Sequence, residues 1–283
     1  MKYITHVLDG PGRHGHKLKD IFTAYIFSYF FNDVQVVSHP RWTRNAIIKF
    51  ITQPFKVDYT RVIDVAYDRK WWNGISFDMF QTICNKIQNA PDGSLIRLNG
   101  IVRVNGKQLT DWYDQGLIKH DIFLNKFIPG IRELYNRGNK IRLKNQLAIH
   151  IRRGDIAKKT KNANRYNHPN SKTYHYMFWP IEYYFELIDT FKLSHPNVPI
   201  QVFTENAYAD DVYQLNKYNN INLNFGTKRT IRSDFNELVS SKYLIPANSG
   251  FSYWAAYITK GNVIIPNRNI KQLHKSCIWD GVN

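Results

Sequence analysis

The chain has 283 residues, 43% of them hydrophobic and 15% aromatic, enough to bury one large core or two modest ones. A net charge of +17 points to an anionic partner (nucleic acid, a membrane surface or a phosphorylated small molecule), the plain alternative being a basic surface that keeps the protein soluble. Two cysteines far apart in sequence, Cys84 and Cys277, exclude a disulfide framework, no zinc-type spacing occurs, and the most apolar window, Ile21 to Phe31, is too short and too interrupted to cross a bilayer.

Lys2 to Leu8 reads as a first strand that follows Met1 almost directly, with no basic–apolar–small leader pattern. The glycine-rich loop Asp9-Gly-Pro-Gly-Arg-His-Gly-His16 comes next. Lys17 to Phe31 then carries Leu18, Ile21, Phe22, Tyr25, Ile26 and Tyr29 at helical spacing. Strand, glycine-rich loop and helix are the opening of a Rossmann-like domain. The alternation continues with strand Val34 to Val37, helix Asn45 to Ile51, strand Arg61 to Ala66, helix Phe77 to Ile87, strand Ser94 to Leu98, a hairpin arm at Val102 to Gly106 and a longer helix, Ile122 to Arg137. The polar, basic, glycine-containing run Asn136 to Asn145 marks a boundary, giving domains 1–140 and 141–283.

The second half repeats the alternation. After strand Gln146 to Ile151 comes a basic, Asn- and Lys-rich loop, Ile156 to Tyr176. Helix Pro180 to Leu193 follows, with proline and Glu182 in its first turn. Strand Ile200 to Thr204, helix Asp210 to Lys217, strand Ile221 to Phe225, a helix from Ser233, strand Tyr243 to Ile245, helix Phe251 to Thr259 and strand Asn262 to Ile265 complete it. Strands alternating with helices twice over predict an α/β protein of two Rossmann-like parallel-sheet domains.

Chemistry concentrates at Gln146-Leu-Ala-Ile-His-Ile-Arg-Arg-Gly-Asp155, where a buried strand ends abruptly in two arginines, a glycine and an aspartate. Ligands of open α/β sheets bind at the carboxyl ends of strands, and forked guanidinium groups suit phosphate. Strand alternation puts His150 and Arg152 on one face and Arg153 on the other. Gly154 allows close backbone approach, and Asp155 holds an arginine or the turn. The bland alternative is a surface arginine–aspartate pair.

His150-Ile-Arg-Arg-Gly-Asp155 resembles the His-x-Arg-Arg-x-Asp signature of the α1,2-, α1,6- and protein O-fucosyltransferase superfamily. Ser233-Asp-Phe through Ala247-Asn-Ser-Gly-Phe-Ser-Tyr-Trp-Ala-Ala-Tyr257 resembles the C-terminal motif of its α1,2-type members. The two motifs cover roughly the C-terminal half. The resemblance implies two Rossmann-like domains facing a cleft (the GT-B fold), a GDP-fucose donor, no metal or other cofactor, and a glycan acceptor. Eukaryotic Golgi members carry an N-terminal membrane anchor that is not evident here, which points to a soluble, cytoplasmic protein with no membrane span.

A nucleotide-sugar transferase must stabilise a diphosphate leaving group with a metal or with fixed cations and backbone donors. No Asp-x-Asp occurs; Asp210-Asp211 is an adjacent pair at a helix start. The residues therefore favour arginine-based, metal-free stabilisation. Arg153 is the first choice for the β-phosphate, and Arg152 shares that role or braces the loop. Ala247-Asn-Ser-Gly-Phe-Ser252 precedes a helix, so Ser249, Gly250, Phe251 and Ser252 form either a phosphate cradle or an ordinary serine cap. Thr204 and Glu205 end a strand and can touch the ribose or base. Asp234 accepts from the base or caps its own helix. Gly10 to Lys17 approximates a P-loop, but the lysine is displaced and no Ser/Thr follows it. In the superfamily this first loop commonly reads Gly-Gly-Leu-Gly-Asn-Gln, so here Gly12 and Arg13 stand on a diverged donor side. For the acceptor, Asp68 is the candidate base and Trp71 and Trp72 a sugar-stacking pair, with core packing and a salt bridge as the alternative. His14, placed with the acceptor, and His16 are rival bases or loop hydrogen-bonders.

These residues and the resemblance together predict a metal-independent inverting glycosyltransferase, with GDP-fucose the donor that the resemblance implies. One alternative keeps the fold with a UDP-sugar such as UDP-xylose. Another is a non-catalytic basic nucleic-acid-binding protein, although the charge is dispersed and no nucleic-acid module is recognisable.

Overall fold

The computed structural model describes residues 1–7, 14–39, 57–67, 75–100, 102, 104, 111–118, 125–139, 141–154, 179–205, 209–226, 229–247 and 249–264. The chain divides into two compact units, the first running through Lys140 and the second beginning at Ile141.

The first unit contains β1 (Lys2–His6), α1 (His14–Ser28), β2 (Val34–Val36), β3 (Arg61–Tyr67), α2 (Phe77–Gln88), β4 (Ser94–Gly100) and α3 (Ile128–Asn139). Its four strands are all parallel, in the order β2-β1-β4-β3. Helix α1 departs from the one-sided face that its spacing predicts. Leu18, Ile21, Phe22, Ala24, Ile26 and Phe27 are buried together with Asp20 and Thr23, so the helix is enclosed on most sides. Its polar residues are accommodated locally: Asp20 lies 3.9 Å from the His6 ring, and Thr23 donates to the Lys19 carbonyl while accepting from Val104 N. The helix opens at His14, so His14 and His16 belong to its first turn and not to a loop. Ser76 caps α2, its hydroxyl accepting from Met79 N at 3.2 Å. Of the hairpin arm expected at Val102 to Gly106, only Val102 and Val104 are among the described residues, both buried and neither assigned to a strand. The long helix is α-helical from Ile128, after a π-helical turn at residues 125–127; its expected start at Ile122 lies outside the described residues. The expected helix Asn45 to Ile51 lies outside the described residues.

The second unit contains β5 (Lys144–Ile151), α4 (Ile181–Ser194), β6 (Ile200–Thr204), a 3-10 helix (Asp210–Lys217), β7 (Ile221–Phe225), α5 (Ile231–Ser240), β8 (Ser241–Ile245), α6 (Gly250–Ile258) and β9 (Asn262–Val263). All five strands are parallel, in the order β7-β6-β5-β8-β9. This is the doubly wound Rossmann order, which runs outward from β5 in both directions and reverses between β5 and β8. Leu147, Ile149 and Ile151 of β5 pack with Ile181, Tyr184, Ile188 and Phe191 of α4 and with Val212 and Leu215 of the 3-10 helix. The opposite face meets α5. Helix α6 is buried from Ser252 through Ile258, as its almost unbroken apolar sequence requires. The protein is thus α/β, with two Rossmann-like parallel sheets.

Candidate active site

Because every strand of the second sheet is parallel, all the carboxyl ends lie along one edge. That edge carries Arg152, Arg153 and Gly154 after β5, Glu205 after β6, Asp211 in the 3-10 helix, Arg229 after β7, Asp234 in the first turn of α5, Ala247 and Ser249 between β8 and α6, and Gly250, Phe251 and Ser252 in the first turn of α6. Strand order reverses at β5 and β8, and the two sequence motifs meet there. The Ser249 hydroxyl is 3.5 Å from His150 Nδ1, and the His150 and Phe251 rings are 5.5 Å apart.

The N-terminus of α6 is built by its serines. Ser249 Oγ accepts from Ser252 N at 3.3 Å and lies 3.1 Å from Ser252 Oγ. The Ser252 hydroxyl donates to the Ala247 carbonyl at 2.9 Å. Tyr253 N donates to the Ser249 carbonyl, opening the helical ladder. The serine hydroxyls are therefore engaged in the cap, and the backbone N–H groups of Gly250 and Phe251 are the first-turn donors that point beyond the ladder.

His150 is pushed down to about 3, first by burial and then by the nearby Arg152 charge. Its imidazole is neutral at any ordinary pH, and Arg152 shares its side of the sheet closely enough to act on it.

Arg153 leaves the strand on the other side. Its side chain is fully buried, with Nε 3.0 and 3.1 Å and Nη2 2.6 Å from the Asp211 carboxylate. Nη1 donates back to the Arg152 carbonyl at 3.1 Å. The Arg153 backbone N–H donates to Glu205 Oε2 at 3.0 Å. A guanidinium so enclosed is a brace, so the β-phosphate role expected first of Arg153 does not suit this geometry. Glu205 is likewise turned toward the loop: a Cβ on Gly154, whose φ is +55°, would come within 2.7 Å of the Glu205 carboxylate. The expected freedom of Gly154 serves this carboxylate. Thr204, the last residue of β6, is buried.

Asp234 accepts from Arg229 Nε at 2.7 Å. Burial raises its carboxyl pKa, against the opposing effect of Arg229. It is not a helix cap, because Thr230 and Ser233 form a reciprocal capping box at the start of α5. The Arg229 guanidinium lies 5.3 Å from the Phe203 ring.

One edge thus gathers His150, Arg152, Arg153, Thr204, Glu205, Asp234, Ser249, Gly250, Phe251 and Ser252. Gly12, Arg13, Asp68, Trp71, Trp72 and Asp155 lie outside the described residues. Sequence reasoning missed Asp211 and Arg229 as members of this edge. The only signal for Asp211 was an acidic pair opening an element after β6; Arg229 had none, since its significance depends on where β7 ends. Among the described residues, no group of three His, Cys, Asp or Glu side chains gathers as a metal site, and no helix is long and apolar enough to cross a membrane.

A model of glycosyl transferase family 11 matches residues 107–276, more than half of the chain and all of the edge just described. The chain belongs to glycosyl transferase family 11. It is a glycosyltransferase of the fucosyltransferase family, which removes the non-catalytic nucleic-acid-binding alternative. Among solved structures it is similar to POFUT1 in complex with GDP-fucose (9% identity, 95% of this chain and 98% of that chain, TM-score 0.46). It is also similar to E. coli ADP-heptose lps heptosyltransferase II (12% identity, 97% and 88%, TM-score 0.43) and to E. coli heptosyltransferase WaaC with ADP (9% identity, 98% and 95%, TM-score 0.39). No curated protein matches. The assignment rests on the family match, and the distant structures add nothing to it.

Proposed function

We propose that this family 11 enzyme transfers a sugar from a nucleotide diphosphate sugar to a hydroxyl of a glycan acceptor, with inversion and without a metal. GDP-fucose is the donor that the sequence resemblance favours. The observation that carries the reading is the meeting of the two motifs at the β5/β8 reversal. It brings Arg152, His150 and the first turn of α6 to the place where an α/β sheet holds a phosphorylated ligand.

In this reading Arg152 and the N–H groups of Gly250 and Phe251 hold the diphosphate. As the bond from the anomeric carbon to the phosphate oxygen breaks, negative charge grows on the leaving group, and preorganised donors stabilise it more than they stabilise the bound donor. Neutral His150 offers a hydrogen bond to the nucleotide rather than a proton to the reaction. Asp234, held by Arg229, presents a carboxylate to the base, where an acceptor suits the N–H edge of guanine. The acceptor hydroxyl attacks the opposite face of the sugar and gives its proton to a base. Asp68 is the sequence's candidate for that base, with Trp71 and Trp72 as the sugar platform. A UDP-sugar is the second reading, because the first loop departs from the superfamily's usual form.

Calorimetric titration with GDP and UDP at moderate salt and without metal, followed by GDP-fucose and UDP-xylose, tests the proposal. Tight GDP binding supports the fucosyl donor, whereas preference for UDP moves the donor and keeps the site. Binding of neither nucleotide overturns the proposal.

A further inference from the structure

We infer that Asp211 and Glu205 are positioning residues, which through Arg153 fix the backbone from which Arg152 reaches the donor diphosphate; this rests on the proposed function of Arg152.

Arg152 directly follows Ile151, the last residue of β5, two residues before the chain turns at Gly154. Just beyond a strand end, neither the sheet ladder nor a helix fixes the backbone. Three contacts take their place here. Arg153 Nη1 holds the Arg152 carbonyl at 3.1 Å. Asp211 grips the same guanidinium with Nε and Nη2 contacts of 3.0 and 2.6 Å. Glu205 holds the Arg153 N–H at 3.0 Å. The peptide between Arg152 and Arg153 is thereby bonded at its carbonyl by Arg153 itself and at its N–H by Glu205.

The anchors come from different elements. Glu205 directly follows β6, the strand hydrogen-bonded to β5. Asp211 sits near the start of the 3-10 helix, whose Val212 and Leu215 are locked into the core. Gly154 admits the Glu205 carboxylate, since a Cβ there would come within 2.7 Å of it. A fixed donor array stabilises a leaving group only when its geometry is set before the reaction. A misplacement of Arg152 therefore costs turnover as well as affinity. The two carboxylates also balance the formal charges of the two arginines, so the edge is not a strongly repulsive cluster before the anionic donor arrives.

The test compares Arg152→Ala, Arg153→Ala, Asp211→Ala, Asp211→Asn, Glu205→Ala and the double variant Asp211→Ala/Arg153→Ala in the full chain. Each is measured for its thermal midpoint, its calorimetric Kd for GDP and UDP, and the kcat and KM of transfer, all well below the lowest midpoint. The inference expects Asp211→Ala and Glu205→Ala, each of which removes its acceptor, to weaken nucleotide binding at least about tenfold and to lower kcat further. Asp211→Asn, which keeps one acceptor, should retain more function than Asp211→Ala. The double variant should be no worse than Arg153→Ala in nucleotide binding, because Asp211 acts only through Arg153. If Asp211→Ala and Glu205→Ala lower the thermal midpoint but leave Kd and kcat at wild-type values while Arg152→Ala abolishes both, the positioning role is overturned and the proposed function survives. If Arg152→Ala binds and turns over normally, or wild type binds neither nucleotide, the proposed function itself fails and the inference goes with it.

Discussion

Arg152 and Arg153 are neighbours in sequence with opposite burdens. Arg153 is fully buried against Asp211, so Arg153→Ala strands a carboxylate and opens a cavity. We expect a stability loss of about 3 kcal/mol as well as lost transfer, so the fold is not left untouched. Arg152→Ala should abolish transfer while changing stability by less than about 1 kcal/mol. Urea unfolding of both variants beside a transfer assay separates the two roles; equal stability losses would refute the division. His150 makes a pH prediction. The folded imidazole stays neutral down to about pH 3, whereas in the unfolded chain it takes up a proton near 6.5. The unfolded state thus binds more protons between those values, and stability falls as pH drops through that window, by up to about 1.4 kcal/mol per pH unit from this group. Unfolding midpoints from pH 8 to 4 should show a shallower acid slope for His150→Gln than for wild type. Gly154→Ala combines a left-handed φ with a close approach to Glu205. It should cost at least about 1 kcal/mol and weaken nucleotide binding, read by thermal melts and calorimetry.

At the scale of elements, α6 shows how an ordinary cap and a ligand site share one turn. Ser249→Ala removes the hydroxyl that accepts from Ser252 N. It should destabilise the protein by about 1 kcal/mol and loosen the turn whose Gly250 and Phe251 N–H groups face the diphosphate. The checks are a melt and a nucleotide titration; unchanged nucleotide affinity would remove this turn from the site. Strands such as Ile200–Thr204 and Ile221–Phe225 could be read from sequence to the residue, because short β-branched and apolar runs between turn residues have few other homes. Helices were less legible. Asp210–Lys217 is 3-10 and not α-helical, since eight residues with two anchored apolar side chains do not distinguish three residues per turn from 3.6. Helix α1 took in the loop residues His14 to His16, because the glycine there did not stop it as local preference predicts.

Across the whole molecule, charge and metal dependence are the useful tests. Fixed cations rather than a bound metal should serve the diphosphate, so excess EDTA is expected to leave transfer rates unchanged; a loss restored by a divalent cation would refute this. With a net charge of +17, nucleotide affinity should weaken as salt rises from low to moderate concentration, which calorimetry at several ionic strengths measures. The sequence alone determined the α/β class, the family signature and the strand ends that hold it, because short apolar runs and charge at a strand terminus are local properties. Only the tertiary structure separated the arginines. Arg153 is a brace because Asp211, fifty-eight residues later, meets it from a neighbouring element, and Asp234 is denied a capping role by Thr230 and engaged by Arg229. Such roles depend on which side chains converge at the shared carboxyl edge of the sheet, and local pattern does not encode that convergence.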